Sequence, residues 1–168
     1  ALYRIVTLLP LNLMFLPQVF FKSEYVHIAE HHERKAFIRR YLGRYWLLSL
    51  LFSTAAIAVA ALFGDVILGL VFGPKYRTGG ELLTILMVGL AATFLLKRPF
   101  GVLLNIAGKA GLNVVIGLVT IAISVVFYLF LIPRYGLPGA AAGTALTAWI
   151  SGLISAAIYH QTVYRKLV

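Results

Sequence analysis

The sequence predicts an all-α, polytopic membrane protein with about five transmembrane helices, and three observations carry that prediction. Hydrophobic residues make up 61% of the chain and charged residues only 12%, with a mean hydropathy of +0.94. A soluble domain carries about 25% charged residues. Residues 46–64, 112–132 and 139–159 contain no Asp, Glu, Lys or Arg, and about 18 or more such residues in a row can cross the hydrocarbon core as a helix. The runs are continuous rather than alternating, which argues against an outer-membrane barrel.

The first span is placed at about 1–21 and is interrupted by Pro10 and Pro17. Each proline removes a backbone donor and bends the helix, which membrane helices tolerate where neighbours satisfy the freed carbonyls. Arg4 lies about 26 Å from the end of this span at a rise of 1.5 Å per residue. It either snorkels to headgroups or faces an internal cavity as a cation. The chain starts at Ala1 inside an apolar stretch, without an initiator Met or a basic region before a cleavage site. This is not the pattern of a signal peptide; it is expected of a fragment whose beginning is missing.

Residues 22–44 form the one long polar run, with six of the fifteen basic residues and three of the five acids. A short connector this basic stays on the cytoplasmic side. The expectation is a cytoplasmic loop, partly helical and lying in the interface, with Tyr25, Ile28, Phe37 and Ile38 as apolar contacts. It contains His27-Ile28-Ala29-Glu30-His31, which fits the inverted zinc-protease pattern H-x-x-E-H. Helical spacing would put both histidines on one face, but a solvated face with no metal is the expectation. The later acids, Asp65 and Glu81, fall near the opposite side, and no obvious third ligand is found downstream.

The second span covers about 45–64, with Tyr41, Tyr45 and Trp46 as an aromatic anchor at its inner end. Asp65 is expected at the outer boundary, and residues 66–72 continue as an apolar tail until Gly73-Pro74 breaks it. The third span, about 81–106, carries Lys97, Arg98 and Pro99. The two cations either snorkel to the inner headgroups or face a central aqueous path, with Pro99 as the bend. Neighbours on a helix are about 100° apart, so both need not face the same way.

Residues 108–111 form a short inner turn, 112–132 the fourth span, 133–138 a tight outer turn and 139–160 the fifth span. Tyr164, Arg165 and Lys166 mark the inner tail. The fifth span shows Gly139, Gly143, Thr147, Ser151 and Ser155 at four-residue spacing, a small-residue stripe that lets another helix approach closely. Eleven basic residues then fall inside and three outside, Arg4 apart, with Lys97 and Arg98 counted as inside. This bias supports the orientation, with a cytoplasmic C-terminus.

Other function classes are weakened by the same residues. The formal charge of +10 does not indicate nucleic acid, because the basic residues cluster at the ends of apolar runs rather than along one soluble face. They suit membrane lipid headgroups instead. With no cysteine, disulfides, thiol catalysis and cysteine metal sites are excluded. No phosphate loop, no nucleophile beside a base and no metal cluster points to an enzyme or a cofactor.

Three motifs carry a family resemblance. Phe72-Gly73-Pro74-Lys75-Tyr76 resembles the FG-x-x-Y outer turn of bacterial and archaeal polysaccharide exporters. Gly108-Lys109 is similar to their A-G-K inner turn. Residues 131–141, LIPRYGLPGAA, resemble their LIP-x-YG-x-x-GAA hairpin. In this order and spacing the set resembles Wzx-type polysaccharide and O-antigen flippases, within the superfamily of multidrug, oligosaccharidyl-lipid and polysaccharide exporters. The resemblance implies the last five helices of a two-lobe transporter of twelve or fourteen helices in the cytoplasmic membrane, with the N-terminal lobe missing. It implies a polyprenyl-pyrophosphate-linked oligosaccharide as substrate, and a cavity lined by cations. Arg4, Lys97 and Arg98 match those cations by depth. The alternatives are a drug/cation antiporter or peptidoglycan-precursor flippase of the same superfamily, and a non-transporting scaffold protein. An antiporter would favour acids within its spans.

Overall fold

The fold, taken from a computed structural model, is described for residues 2–15, 19, 26, 28–31 and 34–166. Among these residues it is helical throughout, without strands. Helix α1 spans Leu2–Leu13, α2 spans Lys35–Phe72, α3 spans Gly80–Ala92, α4 spans Arg98–Ile106 and α5 spans Ala110–Thr162. A 3₁₀ segment, Pro74–Gly79, joins α2 to α3. A single π-turn, Thr93–Lys97, links α3 to α4. Another short 3₁₀ turn, Tyr164–Lys166, comes after α5.

The basic segment departs from the expected loop. Residues 35–44 are the first turns of α2, continuous with the second span. The reason is local: KAFIRRYL has good helix formers and no proline, and Ile38, Leu42 and Tyr45 recur on one face and are all buried. Ile28 and Ile38 are likewise fully buried in the protein core rather than laid into a membrane interface. Tyr25 and His27 lie outside the described residues. At 38 residues, α2 is about 57 Å long, well beyond a hydrocarbon core of about 30 Å. It ends at Gly73, where φ is +103°, a conformation that favours glycine.

Helix α5 is not one rod. Its helical path breaks at Gly136, with φ 60° and ψ −130°, giving two limbs, 110–135 and 137–162. The Thr120 hydroxyl donates to Ser151 Oγ at 2.9 Å, and Tyr128 Oη pairs with Thr144 Oγ1 at 3.0 Å. In a straight helix Thr120 and Ser151 would be about 46 Å apart. The limbs therefore lie antiparallel, paired symmetrically about Gly136. All five members of the small-residue stripe are buried, and a Cβ at Gly143 would meet the Tyr128 ring at 3.0 Å. The stripe is the seam of this hairpin.

The alternating runs place Lys35, the α4–α5 turn and Tyr164 at one end. Around it Ile38, Leu42, Tyr45, Leu104, Tyr159 and Val163 form one core cluster. The second cluster, at the far end, joins Val6, Ala60, Leu68, Leu83, Leu86, Phe94 and Ala141. There the Asp65 carboxylate, two turns before the end of α2, accepts the Gly80 N–H at 2.8 Å and so ties α2 to the start of α3. The outward surface is apolar, with Leu47, Leu51, Leu62 and Leu70 of α2 and Val114, Leu118 and Leu129 of α5 all exposed. Three helical segments, Lys35–Phe72, Pro74–Ile106 and Ala110–Thr162, are long and apolar enough to cross a membrane. In the most apolar stretch of Pro74–Ile106, 61% of residues are buried, against 22% and 6% for the other two. The segment carrying Lys97 and Arg98 is thus the one whose most apolar stretch its neighbours cover most.

Candidate functional site

The site begins with the backbone of the π-turn. The Arg98 N–H bonds back five residues, to Thr93 O, so the Phe94 carbonyl loses the donor an α-helix would give it. Pro99 has no N–H, so the Leu95 carbonyl loses its α-helical donor as well. Two consecutive side chains of α2 replace both donors. The Tyr45 hydroxyl donates to Phe94 O at 2.7 Å, and Trp46 Nε1–H donates to Leu95 O at 2.8 Å. Tyr45 is 4% exposed. These two aromatics clamp the helix distortion, Tyr45 from the buried side and Trp46 from the exposed side. π-turns of this kind recur at functional sites.

One extra residue in the turn rotates the next helical segment by about 100° relative to an uninterrupted helix. Lys97 and Arg98 consequently line the same pocket, of about 360 Å³, together with Thr93, Asn105, Asn113 and Ser155. Met14, just past the end of α1, Gly101, Gly117 and the apolar Val102 and Ile116 complete its lining. Lys97 is exposed and Arg98 half-buried. Asn113 holds the wall together, donating to Gly101 O at 2.8 Å and to Asn105 Oδ1 at 2.7 Å. Among the described residues no acidic side chain lines the pocket. Two adjacent cations with amides and hydroxyls around them suit a polyanion carrying polar groups.

Of the three cations singled out in the sequence, the structure brings together Lys97 and Arg98. Arg4 is exposed on α1 and does not line this pocket. Sequence reasoning missed Asn105 and Asn113, although a signal was available: amide side chains inside apolar spans are uncommon and often functional. Ser155 belongs to the packing stripe and also reaches the pocket. His31 packs at a tilt against Phe37, with ring centroids 5.2 Å apart. Among the described residues no group of three or more His, Cys, Asp or Glu could hold a metal ion.

No protein-family model matches the chain, and no solved structure matches it. The chain is similar to the capsular polysaccharide biosynthesis protein CapF of Staphylococcus aureus, at 26% identity over 133 residues, covering 79% of this chain and 33% of CapF. It is also similar to the uncharacterized membrane protein MJ1068 of Methanocaldococcus jannaschii, at 29% identity over 129 residues, covering 73% of this chain and 25% of that protein. The chain therefore spans about a third of the first relative and a quarter of the second. The likenesses agree with a membrane protein and with polysaccharide biosynthesis as the broad setting. Neither name specifies a flippase.

Proposed function

We propose that the chain is part of a cytoplasmic-membrane transporter that flips a polyprenyl-pyrophosphate-linked oligosaccharide for polysaccharide biosynthesis. The observation that carries this is the pocket in which Lys97 and Arg98 meet with no acid among the described lining residues, on the best-covered apolar segment of the protein. Cations at membrane depth are costly unless they line a wet, anion-accepting path. A pyrophosphate supplies the matching charge, and Thr93, Asn105, Asn113 and Ser155 supply hydrogen bonds for the groups beside it. A lining of cations rather than acids weighs against a cation antiporter. The similarity to a capsular polysaccharide biosynthesis protein supports the glycan as cargo.

In this proposal the basic end, with Lys35, Arg39, Lys109 and Arg165, faces the cytoplasm, and the C-terminus with it. No bond is made or broken and no cofactor takes part. The remainder of a longer polypeptide forms the opposing lobe. The test is alanine substitution in the intact protein. Lys97→Ala and Arg98→Ala should each reduce glycan export about tenfold or more, the effect of losing one charge-assisted hydrogen bond of about 1.5–3 kcal/mol, with membrane abundance unchanged. Arg4→Ala, outside the pocket, should have a smaller effect. Normal export in both pocket variants would contradict the proposal.

A further inference from the structure

A second recess shares no lining residue with the cation pocket. It has a volume of about 350 Å³ and lies between one face of α2, Phe100 of α4, the last turns of α5 and Tyr164. Its wall is a continuous chain of rings. Trp46 meets Phe100 edge-on at 6.1 Å, Phe100 meets Tyr159 at 5.5 Å, Tyr159 meets Tyr164 at 6.5 Å, and Tyr164 stacks on His160 at 5.5 Å. The Lys35 ammonium sits 5.2 Å from the Tyr164 ring centroid, on the same rim.

The recess is polar at one end and apolar at the other. Lys35, Arg39, Leu42 and Trp46 recur at spacings of four, three and four on α2, so they share one helix face. Along that face the wall changes from Arg39, with Lys35 one turn beyond it, to Leu42 and Trp46 over about 10 Å. His160 and Tyr164 border the cationic end, whereas Phe100 and Ala156 border the apolar end. Among the described residues no acidic side chain lines the recess. The gradient is that of a phospholipid, an anionic headgroup at the membrane surface and an acyl chain below it. A soluble anion would leave the aromatic half unused, and a neutral apolar ligand would leave the cations unmatched.

We propose that this recess is a binding site for one anionic phospholipid, its phosphate held by Arg39 and His160 with Lys35 alongside, and its acyl chain lying against Trp46, Leu42 and Phe100. The site is separate from the transported cargo. Because Trp46 also closes the π-turn through Leu95 O, the bound chain lies against the residue that supports the cation pocket from behind.

The test uses the intact protein, reconstituted into vesicles of equal parts phosphatidylcholine and phosphatidylglycerol. The protein is then extracted, and its retained lipid is counted by mass spectrometry. Phosphatidylglycerol should be enriched over phosphatidylcholine. Arg39→Glu should lower that enrichment about fivefold or more, the effect of one basic residue at an anionic surface. Ala156→Phe, which fills the apolar half, should lower it while leaving the rim charges in place. Arg134→Glu, on an exposed far-end residue, should leave it unchanged. Equal retention of the two lipids, or unchanged enrichment in both recess variants, would overturn the proposal. So would a photo-crosslinker at position 156 that captures a protein segment instead of lipid.

Discussion

At the scale of single residues, the site depends on two hydrogen bonds made by aromatic side chains far away in sequence. Tyr45 and Trp46 reach carbonyls 49 residues later, and each carbonyl is one that has lost its α-helical donor. Tyr45→Phe keeps the ring and removes the hydroxyl. It should destabilise the protein by about 1–3 kcal/mol, the cost of an unsatisfied buried carbonyl, read as a lower midpoint of thermal unfolding in detergent. An unchanged midpoint would show that the π-turn does not need this donor. Lys97, Arg98 and Pro99 are conspicuous in the sequence because charge and proline are both expensive within an apolar span. Which way the cations face is not legible there. It depends on the extra residue in the turn, and the extra residue is stabilised by partners on another helix that no local periodicity marks.

At the scale of helices, the chain is most legible where a glycine or proline forces the backbone. The breaks at Gly73 and Gly136 fall in the turns expected from Gly73-Pro74 and from residues 133–138. The basic segment is harder to read. Its polarity suggests a surface loop, but its buried stripe of Ile38, Leu42 and Tyr45 makes it the start of α2. The stripe of Gly139, Gly143, Thr147, Ser151 and Ser155 is readable as a packing seam from its spacing, though not which helix it meets. Because the chain has no cysteine, a Thr120→Cys/Ser151→Cys pair is a clean reporter of that partner. The pair should form a disulfide on mild oxidation, since the native hydroxyl oxygens are 2.9 Å apart. A straight α5 would hold the two about 46 Å apart and give none.

At the scale of the whole molecule, many large apolar side chains are exposed, and the polar pocket lies on the segment whose apolar stretch its neighbours bury most. Two core clusters meet at the π-turn, where Phe94 belongs to the second and Leu96 packs against the first. The basic residues of the alternating runs gather at one end, and the positive-inside bias then sets the expected orientation. A Lys109→Cys variant should be labelled by an impermeant maleimide only from the cytoplasmic side, and Arg134→Cys only from the outside. Labelling of both from one side would break the alternation. The broad class, helical and membrane-embedded, is legible in composition and run length. The pocket's polar wall is not, because Asn105, Asn113 and Ser155 come from separate helical limbs and share no motif.

The central claim is that Lys97 and Arg98 together carry a lipid-linked diphosphate across the bilayer. It is tested most directly by reconstituting the intact protein in vesicles and tracking a fluorescent polyprenyl-pyrophosphate oligosaccharide from one leaflet to the other. The native protein should flip it, and a Lys97→Ala/Arg98→Ala variant of equal abundance and thermal stability should be slower by about tenfold or more. Equal rates in the two proteins would contradict the account.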